Sequence, residues 1–183
     1  MARPREHTDE GLLDLVGSAL ARRTARSRWS LADVAGESGI APATLVKRFG
    51  SRHGLLVALS RRWIDSIPAA PAGGDVVAEL TAWVSATFSP TPGRSAAVVG
   101  MQYLMEDLSD DELAALLAQG WAKQVDYLAA LLTKAGLARL GDPLTGARLL
   151  FDALNGGQPR AAAGDLHPPS ALTILRAFWE LWT

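Results

Sequence analysis

Residues 30–51 read "SLADVAGESGIAPATLVKRFGS", the rhythm of two short helices joined by a tight turn. Ser30 stands at an N-cap, Asp33 at the capping-box position three residues on, and Trp29 and Val34 at the two ends of a hydrophobic staple. Gly39 breaks the first helix, Pro42 suits the first turn of the second, and Leu45 and Phe49 give it an i,i+4 apolar pair. A helix-turn-helix needs a small residue where its helices cross, a turn residue tolerant of positive φ, and apolar residues locking both helices to a third. Ala35 is the small residue and Gly39 the turn; Leu31, Val34, Ile40, Leu45 and Phe49 form the lock. Thr44, Lys47 and Arg48 then fall on the outer face of the second helix, where they could reach base edges and phosphates in a major groove. The competing reading is a helical hairpin whose charges only solvate it.

Working outward, the chain has 183 residues, 49% of them apolar, enough to bury a substantial core. It has no cysteine, which excludes a disulfide framework and thiolate chemistry. No apolar run approaches the ~18 residues of a membrane span, and the opening "MARPREHTDEG" lacks the apolar core of a signal peptide. The expectation is a soluble cytoplasmic protein with no membrane partner. The net charge of −1 hides an asymmetry: residues 1–65 carry eleven Lys and Arg against seven Asp and Glu, and residues 66–183 carry seven against twelve. A basic head on an acidic body suggests that only the head meets a polyanion.

The remaining pattern is helical, with no alternating β signal and no internal repeat. Leu12, Leu13, Val16, Ala19 and Leu20 form one stripe, and Ser51 caps a helix running through Leu55, Leu56, Leu59, Trp63 and Ile67. Pro68, Pro71, Gly73 and Gly74 mark a boundary, which predicts domains at 1–67 and 68–183. Helices follow over 75–88 and 94–108. A long one runs from a Ser109–Glu112 capping box to Ala135, with Gly136 ending it. Two more lie near 143–155 and 169–182, separated by a loop "GGQPRAAAGDLH". The fold class is all-α, with about nine helices.

Residues 11–60 resemble the DNA-binding domain of the TetR family of transcriptional regulators. The resemblance rests on Ser30, Val34-Ala35, Gly39-Ile40, Thr44-Leu45, Phe49, Ser51-Arg52 and Leu55-Leu56, with the family's spacing preserved. It implies a helix-turn-helix head, a helical body that binds a ligand, and a homodimer on a pseudo-palindromic double-stranded DNA operator. Its DNA-contacting positions are Ser30, Pro42, Ala43, Thr44, Val46, Lys47, Arg48 and Arg52. Ser30 and Arg52 would clamp phosphates, and Arg48 would be best placed to pair bidentately with a guanine. Arg22, Arg23, Arg26 and Arg28 could touch flanking backbone or stay solvated. The sequence departs from the family pattern at Ala41 for a capping Ser, Ala43 for Gly, Val46 for Tyr, Arg48 for His and Arg52 for Lys. A lost cap costs ~1 kcal/mol, partly offset by the preset φ of Pro42. One head reads one half-site, so a dimer should span half-sites about 34–36 Å apart or a multiple of that.

The resemblance places the dimer interface on the last two helices, at Leu150, Leu154, Leu175, Phe178, Trp179 and Trp182; the alternative is that these residues are the chain's own core. The middle helices carry Trp83, Phe88, Met101, Tyr103, Met105, Trp121 and Tyr127, an adaptable set for a small hydrophobic ligand; Trp121 and Met105, then Trp83, Met101 and Phe151, are its candidate lining residues, with Gln102, Gln124 or Asn155 to orient the ligand. The same residues serve equally as core. The acidic cluster Glu106, Asp107, Asp110, Asp111 and Glu112 would attract a cation or simply favour a helix N-terminus.

No HExxH, GxSxG, Walker-type loop or GxGxxG after a strand is present. His7, His53 and His167 lack i,i+4 partners, so no metal site, triad or cofactor is expected. The function expected is a ligand-responsive DNA-binding repressor and not an enzyme. The alternatives are a helical small-molecule-binding dimer without specific DNA binding and, behind it, a helical enzyme on the same scaffold.

Overall fold

The computed structural model describes residues 8–22, 29–88, 93–164 and 167–183. Among these residues there are ten helices and no strand. They are α1 (Asp9–Arg22), α2 (Leu31–Ser38), α3 (Pro42–Phe49), α4 (Arg52–Ser66), α5 (Val76–Thr87), α6 (Gly93–Leu108), α7 (Asp111–Ala135), α8 (Pro143–Asn155), α9 (Gly157–Ala163) and α10 (Ala171–Trp182). No helix is long and apolar enough to cross a membrane.

Local chemistry starts and stops most of these helices. Ser51, Asp75, Asp142 and Ser170 each accept backbone N–H groups of the first turn that follows, satisfying donors the helix cannot pair internally. Gly136 closes α7 at φ 61°, a left-handed geometry that favours glycine. Two sequence expectations change. The cap of α7 is Asp110, not Ser109: its Oδ1 accepts from Glu112 and Leu113 N–H at 3.1 Å each, while the Ser109 hydroxyl donates back to the Met105 carbonyl at 2.6 Å. A carboxylate that accepts two donors caps more strongly than a hydroxyl that accepts one. The stretch expected as a loop after Asn155 contains α9. Pro159 sits in the first turn, where a missing N–H costs nothing, and the alanines beyond it are the best helix formers.

Two apolar clusters organise the chain. In the head, Leu12, Leu13 and Val16 of α1 meet Trp29, Val34, Ala35, Ile40, Leu45 and Leu55. In the body, Tyr127, Leu128, Leu131 and Leu132 of α7 meet Leu80, Val84, Leu150, Phe151, Leu154 and Leu175. Helices α4 and α6 join the two: α4 packs on α7, while Tyr103 of α6 packs on the head cluster. Trp63 of α4 lies so close to α7 that a Cβ built at Gly120 would overlap its ring.

One polar tie fixes α5 to α7. The Tyr127 hydroxyl donates to Glu79 Oε1 at 2.7 Å, and the Ala72 N–H donates to the same oxygen at 2.7 Å. These bonds, the Ala72 donor first, hold the Glu79 carboxyl below its ordinary range. Burial, and then the bond to Glu79, push the Tyr127 phenol up to about 12. A depressed carboxylate stabilises the fold above its unfolded value of 4.5 and loses that contribution as pH falls through the folded value. Wild-type protein should therefore melt above a Glu79→Gln variant at neutral pH, and the two melting curves should converge as the pH drops below about 4.5.

Candidate nucleic-acid interface

The helix-turn-helix is built as its sequence dictates. The Ser30 Oγ accepts the Asp33 N–H at 3.2 Å, and Asp33 Oδ2 accepts the Ser30 N–H at 2.8 Å, closing the capping box. Gly39 makes the turn at φ 71°, its N–H bonded to the Ala35 carbonyl. Helix α3 begins at Ala41 without a side-chain cap, leaving Pro42 at its start. Leu45 is wholly buried, which turns the opposite side of α3 outward. Pro42, Ala43, Val46 and Lys47 are exposed there, Val46 at 49%, with Thr44 half-buried at the edge.

The two arginines assigned to DNA are engaged within the chain. Arg48 reaches back to the first turn of α1, with Nη1 2.9 Å from Asp9 Oδ1. The Asp9 side chain is 61% exposed and that of Arg48 only 19%, so water screens this pair mainly from the carboxylate side. Arg52 is different. Its two terminal nitrogens grip the Glu106 carboxylate in a fork, each bond 2.5 Å, and its guanidinium lies 4.1 Å from the centre of the Trp29 ring. Its side chain is only 16% exposed and that of Glu106 24%. In this arrangement the Arg52 guanidinium is directed at Glu106 and Trp29 within the chain. It fastens the start of α4 to the last turn of α6.

That fastening continues along one seam. His53 Nε2 lies 3.2 Å from Asp110 Oδ2, and Arg61 Nη2 lies 3.4 Å from Glu112 Oε1. Lys123 donates to the Ile64 carbonyl at 2.7 Å. Burial, and then the neighbouring Glu106 charge, raise the Asp107 carboxyl above its usual range. The acidic cluster therefore serves the contact between head and body. On the other side of the head, Arg62 binds Asp14 and donates to the Glu10 carbonyl at 3.2 Å, bracing α4 against α1. Sequence reasoning missed Asp9, Glu106 and Trp29 as partners, because they lie far along the chain from the arginines they hold. Arg23, Arg26 and Arg28 lie outside the described residues.

The body residues divide as sharply. Trp83, Trp121 and Phe151 join Phe88 and Tyr127 in a chain of edge-to-face contacts. Ring centres are 5.3 Å apart for Trp83–Tyr127, 5.7 Å for Trp83–Phe88, 6.0 Å for Phe88–Phe151 and 6.3 Å for Trp121–Phe151. Such packing fills space with rings. Met101 is half-buried, and Met105 is 56% exposed, turned away from this cluster. Gln124 is buried at 5% exposure, Gln102 is exposed, and Asn155 donates to the Phe151 carbonyl at 2.9 Å. Of the residues expected at a dimer interface, Leu150, Leu154 and Leu175 belong to the chain's own core and have no surface to offer a partner. Phe178, Trp179 and Trp182 are half-buried at its edge, while Leu149, Leu172 and Leu181 point outward.

No family model and no curated protein matches the sequence. Solved structures do match over nearly the whole chain. A transcriptional regulator from Rhodococcus sp. Rha1 superposes with a TM-score of 0.67 at 21% identity, over 93% of this chain and 95% of that one. A candidate TetR-family transcriptional regulator from Rhodococcus sp. gives 0.68 at 22% identity, over 93% and 96%. The chain has the TetR-regulator fold. A third structure, a candidate transcriptional regulator from Saccharomonospora viridis in complex with choline, matches with a TM-score of 0.66 at 21% identity, over 94% of this chain and 95% of that one.

Proposed function

We propose that the chain is a ligand-responsive, DNA-binding transcriptional repressor acting as a homodimer, with a DNA-binding unit over 1–67 and a ligand-binding and dimerising unit over 68–183. The observation that carries this reading is the exposed face of α3. Pro42, Ala43, Val46 and Lys47 stand in solvent on a helix locked by Leu45 into a helix-turn-helix, within a fold shared with transcriptional regulators. Lys47 and Arg48 supply charge to the groove, with Arg48 exchanging Asp9 for DNA, while Ser30 and Thr44 offer hydroxyls at its edge. Arg52 holds the head in register with the body.

The dimer reading is supported by Leu149, Leu172 and Leu181, exposed at 54%, 39% and 67% on α8 and α10 beside the half-buried Phe178, Trp179 and Trp182. Leu172 and Leu181 flank the buried Leu175 on opposite sides of α10, and with the half-buried aromatics they leave apolar surface on these helices for a second copy to cover. The ligand reading is supported by the choline bound in the Saccharomonospora viridis protein, a small molecule held by a chain of this fold. In the released state the two recognition helices would no longer match the half-sites. A full 1:99 to 99:1 swing requires the ligand to prefer that state by about 5.5 kcal/mol.

The test is fluorescence anisotropy on DNA from upstream of the protein's own gene, beside scrambled DNA, across a series of salt concentrations. The expected outcome is a preference of roughly a thousandfold or more with a steep salt slope. Arg48→Ala should relax sequence choice. Equal binding to both DNAs at every salt concentration, there and in a selection from genomic fragments, would sink this reading.

A further inference from the structure

A cavity of about 180 Å³ lies where the C-terminus of α5, the α8–α9 junction and the N-terminus of α10 meet. Phe88, Leu154 and Ile174 give it apolar walls, and Thr87, Ser170, Asn155 and Gln158 bring two hydroxyls and two amides, the Ser170 oxygen already accepting the Thr173 N–H at 3.1 Å. None of the described residues that line it is charged. These residues therefore offer no counter-charge to an ion, while their amides and hydroxyls can both donate and accept hydrogen bonds. Asn155 already donates through Nδ2 to the Phe151 carbonyl at 2.9 Å, which orients its Oδ1 as an acceptor. A cavity of roughly 150 Å³ is large enough to hold benzene, so this one suits a single ring with one small polar group.

Its position gives occupancy a route to the rest of the molecule. Gln158 lines the cavity and also abuts α6: a Cβ built at Gly100 would overlap its Nε2. Helix α9 packs along α6, whose last turn carries the Glu106 that grips Arg52 at the start of α4. Of the aromatic residues grouped from sequence on the middle helices, Phe88 borders this cavity and connects it to the cluster of Trp83, Trp121 and Phe151, which do not.

We propose that this cavity is a small-molecule site whose ligand is a compact neutral molecule, one ring in size, carrying a hydroxyl or amide that bonds to Thr87, Asn155 or Gln158. The proposal deepens the ligand-responsive reading above by placing the ligand, but its test needs no DNA. Benzyl alcohol and benzamide serve as probes in a titration followed by ¹H–¹⁵N NMR of the full chain. The expected result is saturable shifts of the Asn155 and Gln158 side-chain amides and of the backbone around Thr87 and Ala161. Ala161→Phe, which fills the space, should abolish them. Thr87→Val, a milder change at an exposed position, should weaken benzyl alcohol binding several-fold and leave the helical spectrum intact. Shifts centred instead on the Trp83 or Trp121 indole N–H, or none up to the solubility of either probe, would overturn the proposal. Failure of the regulator reading would leave these shifts in place, whereas failure of this proposal would remove them and leave operator binding untouched.

Discussion

Replacing Arg52 with alanine should destabilise the protein by about 3 kcal/mol, the scale for stripping one partner from a mostly buried ion pair. In a chain of this size that lowers the melting temperature by roughly 6–12 °C. Three losses combine: the two 2.5 Å bonds to Glu106, the guanidinium on Trp29, and the solvation of a Glu106 carboxylate left only 24% exposed. Arg52→Lys keeps the charge but loses the fork and the flat stack on the indole, so it should recover only part of the loss. The DNA-binding measurement separates this role from a phosphate clamp. Were Arg52 touching a phosphate, its removal would reduce the salt slope by about one. With Arg52 holding Glu106, the folded variant should keep the wild-type slope, and any weaker binding should follow the fraction of chains folded. A reduced slope with an unchanged melting temperature would refute the assignment.

The second large effect is expected at Gly120, in the middle of the 25-residue helix α7. By helix propensity alone, Gly120→Ala should gain about 1 kcal/mol. The tertiary contact reverses the sign. The new Cβ would overlap the Cζ3 and Cη2 atoms of Trp63 and crowd Cε3 at 2.9 Å, so the rigid plane of the half-buried indole would have to shift as a whole. Overpacking of this kind costs about 1–3 kcal/mol, and the overlap with three ring atoms puts this case at the upper end. The net expectation is a loss of about 2 kcal/mol by urea or thermal unfolding. Combining Gly120→Ala with Trp63→Leu should relieve the clash, giving a coupling of about 0.5–3 kcal/mol in a double-mutant cycle. Additive effects would mean that Trp63 does not bear on Gly120.

These two sites show where the limit of the sequence lies. The helix-turn-helix was legible because each of its signals acts within a few residues: Ser30 with Asp33, Gly39 at its turn, and Leu45 and Phe49 one helical turn apart. The same holds for Ser51 capping α4 and Gly136 ending α7. Where two local signals competed, reading along the chain chose wrongly. Gly156, Gly157 and Pro159 read as loop punctuation, yet a proline in a first turn and a run of alanines are compatible with α9. Ser109 and Asp110 are both good caps, and the carboxylate took the role.

The candidate site was legible as a helix face but not as a set of charges. The spacing of α3 puts Lys47 and Arg48 outside, and nothing within the stretch shows that Asp9 draws Arg48 back or that Glu106 and Trp29 claim Arg52. An arginine on the recognition surface and an arginine in an interhelical lock have the same local sequence. On α8 and α10, likewise, helical periodicity names apolar residues on more than one side. Only the body cluster decides that Leu150, Leu154 and Leu175 turn inward while Leu149, Leu172 and Leu181 turn out. By itself, the sequence determined the helix-turn-helix, most of the helices and caps, and the charge asymmetry between the first 65 residues and the rest, because propensity and capping act over one turn of helix. The tertiary structure decided which cations face solvent, which acids hold the head to the body, where α7 needs a glycine and where a cavity opens beside α9. Those outcomes depend on side chains that meet only after the helices pack, and no short-range signal specifies them.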